Sequence, residues 1–216
     1  MMKLQLLTLV LIALMLQLML HCTGALVVRE DGCEAGCRCK ADGMLRTADC
    51  SDLGLTETPS NINVLTTYLT LQNNHLSRIP TESLKNLRNL RSLHLDANAL
   101  STVPRGSFKG LRALRFLWMD DNGLPQVPVA ALASLPALQA LSLALNHISH
   151  LPDLAFHTMR HLLVLHLHNN QIGSLAEKLD LMYRSLRLSS VLNLHNNHIK
   201  TIPDRAFIGN PSLETL

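Results

Sequence analysis

The sequence predicts an α/β fold: a curved solenoid with parallel strands on its concave face and a disulfide cap at its amino-terminal end. Three observations predict it. Asparagine recurs at Asn74, Asn98, Asn122, Asn146, Asn170 and Asn197, at intervals of 24, 24, 24, 24 and 27 residues. An aliphatic residue stands two places after each, at Leu76, Leu100, Leu124, Ile148, Ile172 and Ile199. Proline stands six places after most, at Pro80, Pro104, Pro128, Pro152 and Pro203. The pattern L-x-L-x-x-N-x-L, repeated at a period of about 20–29 residues, is the mark of a leucine-rich repeat solenoid.

Each period opens with a short strand, whose alternate side chains point opposite ways. Leu69 and Leu71, Leu93 and Leu95, Leu117 and Met119, Leu141 and Leu143, and Leu165 and Leu167 then point into the coil. The asparagine amide satisfies turn backbone groups that would otherwise be buried unpaired. Proline discourages a long helix from starting after the turn. The second half of the period carries Leu84, Leu87 and Leu90, or Phe108, Leu111 and Leu114, which cover the convex side of the core. No coil buries its apolar face alone, so neighbours must stack, with strands about 4.8 Å apart.

The amino terminus reads as a secretory signal peptide over residues 1–24. Lys3 precedes an apolar run from Leu4 to Leu20, followed by small residues at Gly24 and Ala25. A signal anchor is the competing reading, because the run of 17 residues is at the lower limit for a span. Cleavage removes Cys22 and leaves Cys33, Cys37, Cys39 and Cys50 in a cap over residues 25–66. Four cysteines at tight spacing in a secreted chain point to disulfides, with a zinc site as the alternative. Cys50 stands three before Leu53 as Leu71 stands three before Asn74, which gives it an inward position in the cap.

Residues 67–216 hold about six repeats, the fifth irregular. Between Asn170 and Asn197 the run LDLMYRSL (179–186) resembles another strand motif, with Arg184 where asparagine belongs. Two coils do not fit in that interval, so one distorted coil or a bulged loop is expected over 171–195. Leu213 is in register at the chain's end, without a second cysteine cluster, and the sequence reads as a truncated form.

The outward strand residues form the exposed surface. One column holds Thr70, His94, Trp118, Ser142, His166 and Asn193; the next holds Gln72, Asp96, Asp120, Ala144, His168 and His195. Trp118 is the only tryptophan, and an outward aromatic here is an interface anchor unless it merely leans on its neighbours. Asp96, Asp120 and Asp121 beside it complement a basic partner. His166, His168 and His195 invite a metal reading, but chelation needs a further ligand, and surface histidines are the default.

There is no phosphate loop, nucleophile elbow or metalloprotease helix, so neither an enzyme nor a cofactor is expected. A net charge of +3, 3% aromatic residues and the lack of a basic stripe argue against nucleic acid. No later apolar run spans a bilayer, so the product reads as extracellular.

The runs LDAN (95–98), LWMDDN (117–122), LQALSLALNHISHLPDLAF (138–156), VLHLHNN (164–170) and AFIGNPSL (206–213) carry a closer likeness. Here the chain resembles the ectodomain of the leucine-rich repeat G-protein-coupled receptors that bind R-spondins. Its cap segment DGMLRTADCSDLGLT (42–56) is similar to that of the member numbered six. The resemblance implies a concave face that holds R-spondin and so potentiates Wnt signalling. The implied contacts fall on Asp96, Trp118, Asp120, Ala144, Val164 and His166, with the adjacent Asp121 and His94 as further candidates. It also implies the pairings Cys33–Cys39 and Cys37–Cys50, where spacing alone leaves three connectivities. His94 departs from the family, which commonly has arginine there, and the family has more repeats between its cap and the stretch that here begins at Leu71. A secreted adhesive or matrix repeat protein with a different ligand is the alternative.

Overall fold

Residues 36–152, 155–174, 190–202 and 212–214 are described by the computed structural model. The proposed signal peptide, Cys33 and the run 175–189 lie outside the described residues.

The alternation of leucines with polar residues produces one strand per coil. β1 (Arg38–Asp42) and β2 (Leu45–Asp49) form an antiparallel hairpin. Six parallel strands follow: β3 (Tyr68–Thr70), β4 (Ser92–His94), β5 (Phe116–Trp118), β6 (Ala140–Ser142), β7 (Val164–His166) and β8 (Val191–Asn193). They lie side by side in chain order, Leu69 opposite Leu93, Leu93 opposite Leu117, and so on to Leu192. This is a leucine-rich repeat solenoid.

Both inward leucine columns are buried to within 1% of complete, and so are Leu84, Leu87, Leu90, Phe108, Leu111 and Leu114 on the opposite side. Each such side chain contributes about 2 kcal/mol by leaving water. The helices that follow proline are single turns, with no long helix among the described residues. Helices α1 (Thr81–Leu84) and α2 (Val129–Leu132) begin directly after Pro80 and Pro128. A helix start loses nothing from the missing N–H, so proline begins these single turns. After Pro104 no helix forms, because Gly106 and Gly110 hold φ values of 87° and 98°.

The asparagines form a ladder that ties each coil to the one before. Asn122 Nδ2 donates to the carbonyls of Leu95, Met119 and Asp120, at 3.0, 3.3 and 3.0 Å. Its Oδ1 accepts from Leu100 N–H at 2.9 Å. Asn98, Asn146, Asn170 and Asn197 repeat the arrangement on the next carbonyls along. To turn these amides inward, the residue before each takes a left-handed conformation: Asn73, Ala97, Asp121, Leu145, Asn169 and Asn196, with φ between 50° and 55°. Asparagine and aspartate tolerate that region; leucine and alanine do so at a cost.

β7 pairs directly with β8, so no other strand of the sheet lies between them. Asn197 still reaches Leu167 O at 2.9 Å, which keeps the ladder in register across the longer interval.

At the cap, Cys50 is fully buried, and its N–H donates to Thr70 O as Leu71 N–H donates to His94 O. It therefore fills an inward leucine position and is bonded to Cys37. Cys39 is disulfide-bonded as well, so these cysteines are not zinc ligands.

Truncating Asn122 to alanine leaves Leu100 N–H without an acceptor and takes one donor each from the carbonyls of Leu95, Met119 and Asp120, which keep Asn98 Nδ2, Asn146 Nδ2 and Ala97 N–H. Asn122→Ala is expected to lower stability by roughly 3 kcal/mol in urea unfolding; a loss below about 1 kcal/mol is incompatible with the ladder's role. Leu145→Asn, which relieves the left-handed leucine, is expected to add about 0.5–1 kcal/mol in the same assay. Destabilisation by this change would show that the exposed leucine packs favourably where it stands.

Candidate functional site

Because leucines take the inward positions, whatever alternates with them faces outward. The wall gains a third column this way, Tyr68, Ser92, Phe116, Ala140, Val164 and Val191, of which sequence reasoning had singled out only Val164. The signal for the rest was their place two residues before the Trp118 column.

Aromatic rings cluster on β3 to β5. His94 stacks on Trp118 at 5.2 Å with planes 22° apart, Tyr68 lies 5.0 Å from His94, and Phe116 lies 5.8 Å from Trp118. Trp118 is half-buried among these rings, outside the leucine core. It leans on its neighbours and still presents an outer face. Phe116 is the more exposed partner, at 37%.

Asp96 and Asp120 are fixed by the backbone of the next coil. Asp96 Oδ1 accepts from Asp120 N–H at 3.1 Å, and Asp120 Oδ1 accepts from Ala144 N–H at 2.8 Å. The other oxygen of Asp96 lies 3.4 Å from His94 Nδ1. Burial pushes the Asp120 carboxyl above its ordinary 3.8 and the Asp96 charge adds to this, against hydrogen bonds from Ser142 and Ala144 and the nearby His166. Asp120 is thus a positioned carboxylate whose charge is only partly met. Asp121 is exposed at the left-handed turn position and belongs to the wall's rim.

β6 is built of small residues, and Ala140, Ser142 and Ala144 are 7%, 2% and 1% exposed. They are shaded by the larger residues of the neighbouring strands, Phe116 and Trp118 on β5 and Val164 and His166 on β7. Ala144, a residue of the sequence-derived contact set, lies at the back of this row. Its small size and its N–H hold Asp120 in place, and the exposed residue there is Leu145.

At the far end, His168 stacks on His195 at 4.5 Å, and His166 meets His168 edge-on at 5.8 Å. Burial, then the His195 and His166 imidazoles, hold His168 below the usual 6.5. Among the described residues no three His, Cys, Asp or Glu side chains converge as a metal set. Stacked rings do not aim their nitrogens at one point. Among the described residues, too, no helix is long and apolar enough to cross a membrane.

The family model described as leucine rich repeat matches residues 65–124 and 136–188. The chain is similar to leucine-rich repeat-containing G-protein coupled receptor 5 of Bos taurus, at 52% identity over 65 residues, which is 30% of this chain and 7% of that receptor. Human receptor 5 is 49% identical over 65 residues, with the same shares. Human receptor 6 is 41% identical over 63 residues, 29% of this chain and 6% of the receptor. The match thus spans 6–7% of these relatives' length. Higher identity to receptor 5 corrects the likeness to the member numbered six, which rested on a short cap motif.

A carboxyl with a raised folded-state pKa lowers stability above that pKa and ceases to do so below the unfolded value. Asp120→Asn keeps the acceptor for Ala144 N–H and removes the buried charge. Its stability gain over the native chain is expected at pH 7 and to shrink as pH falls towards 3.8. Urea unfolding at the two pH values checks this, and an equal difference at both rules out the buried charge as its source.

Proposed function

The chain belongs to the leucine-rich repeat family, and from that premise we propose that its strand wall docks a protein ligand. One observation carries the reading. An aromatic run and a pair of positioned carboxylates adjoin on β3 to β5 and the turns after them, on a wall braced from behind by leucines. Aromatic anchors held by their neighbours are what protein interfaces concentrate their energy on. Fixed carboxylates lose little freedom on binding, so a cation placed between Asp96 and Asp120 relieves their mutual repulsion without an ordering cost.

The ligand we propose is an R-spondin, which the resemblance of LWMDDN and VLHLHNN to that receptor family implies. The chain then acts as the ligand-binding ectodomain portion of such a receptor, outside the cell, in the potentiation of Wnt signalling. An apolar side chain of the ligand packs on Trp118 and the exposed Phe116, and a basic one meets Asp96 and Asp120. These residues alone support capture or sequestration of ligand, not relay of a signal.

Surface plasmon resonance of the purified chain against an R-spondin tests the proposal. Trp118→Ala is expected to weaken binding by about 2 kcal/mol, roughly thirtyfold, with an unchanged thermal melt. No binding by the folded native chain removes R-spondin as the ligand, and binding unaffected by Trp118→Ala removes the wall as the site.

A further inference from the structure

Away from the strand wall, two consecutive coils carry the same basic residues at the same places. Lys85, Arg88 and Arg91 recur one period later as Lys109, Arg112 and Arg115. The corresponding positions are uncharged in the coil before (Asn61, Val64, Thr67) and the coil after (Ala133, Pro136, Gln139). Stacking brings the two triplets together: Arg115 N–H donates to Arg91 O at 2.9 Å. At Gly110 a Cβ would lie 2.3 Å from Lys85 O, so only glycine seats this turn against the one before. Between the triplets runs a groove of about 550 Å³ lined by Lys85, Arg88, Lys109 and Arg112, and by one acid, Glu82, which pairs with Lys85.

All six cations are exposed. Lys85 pairs with Glu82; among the described residues the other five meet no carboxylate. From Ser83 to Phe116 the only acid is Asp96, which lies on the strand wall. Six cations held on a rigid double row, five of them unneutralised, repel one another and attract a polyanion.

We propose that this groove binds a sulfated glycosaminoglycan. Its polyanion is recognised by charge and by the forked guanidinium groups of Arg88 and Arg112, which match sulfate oxygens. No aromatic ring lines the groove to stack a nucleobase, as single-stranded nucleic acid requires. Asn86 and Thr81 at its edge hydrogen-bond instead to sugar hydroxyls. The disulfide-bonded cap belongs to an oxidising compartment, where sulfated polysaccharide is the available polyanion. The groove is independent of the ligand wall, so both can be filled together.

Binding of the purified chain to immobilised heparin at about 0.15 M salt tests this. Arg88→Glu combined with Arg112→Glu is expected to weaken binding about tenfold or more, with Arg88→Gln and Arg112→Gln together giving a smaller loss in the same direction and Trp118→Ala none. Thermal melts of the variants confirm that they are folded. Unchanged binding by the folded double reversal overturns the proposal. Equal binding to desulfated heparin, or equally tight binding of a single-stranded oligonucleotide, overturns it as well.

Discussion

Everything in this solenoid depends on a buried amide shared between successive coils: Leu95 O accepts from Asn98 Nδ2 of its own coil and from Asn122 Nδ2 of the next. A carbonyl at the end of each strand turns towards the interior, where water cannot reach it, and an unpaired buried carbonyl costs enough to undo the burial of a leucine. The asparagine of the following coil meets that carbonyl, as Asn122 meets Leu95 O and Asn146 meets Met119 O. Each coil is therefore completed by its successor. Leucine burial supplies the driving force. The ladder reinforces its register, because a one-residue slip that turns the leucines outward also puts every amide out of reach. It therefore sets the alignment of the outward columns, and through them the site.

How much of this could be read from residues follows from the same physics. Inward leucines, ladder asparagines and the place of Cys50 are periodic, and periodicity survives without coordinates. The 24-residue register also gave the Trp118 and Asp96–Asp120 columns. Register tells direction and not depth: the outward Ala144, between large neighbours, is shaded to 1% exposure. Phe116 and Tyr68 were passed over although the alternation includes them. The Lys85–Arg88–Arg91 and Lys109–Arg112–Arg115 triplets are scattered along the chain and become one patch only when coils stack. A search for a contiguous basic run misses them, whereas folding the sequence at its own period finds them.

The two faces also explain a net charge that looks unremarkable. The total of +3 conceals a separation in which acids occupy the strand wall beside Trp118 and cations occupy the back of two coils. Such a separation is not needed for stability. Burial acts against the Asp120 charge, and the unneutralised arginines gain nothing from one another. Residues that cost stability, held in place by an ordered scaffold, point to interactions made with other molecules. A purely structural repeat would more readily place the aspartates opposite the arginines, where each would offset the other. Here the backbone N–H groups of Asp120 and Ala144 hold the carboxylates on the side away from the guanidinium groups. The ladder that fixes the coils thus also keeps opposite charges apart, leaving each face to seek its counter-charge from outside the chain.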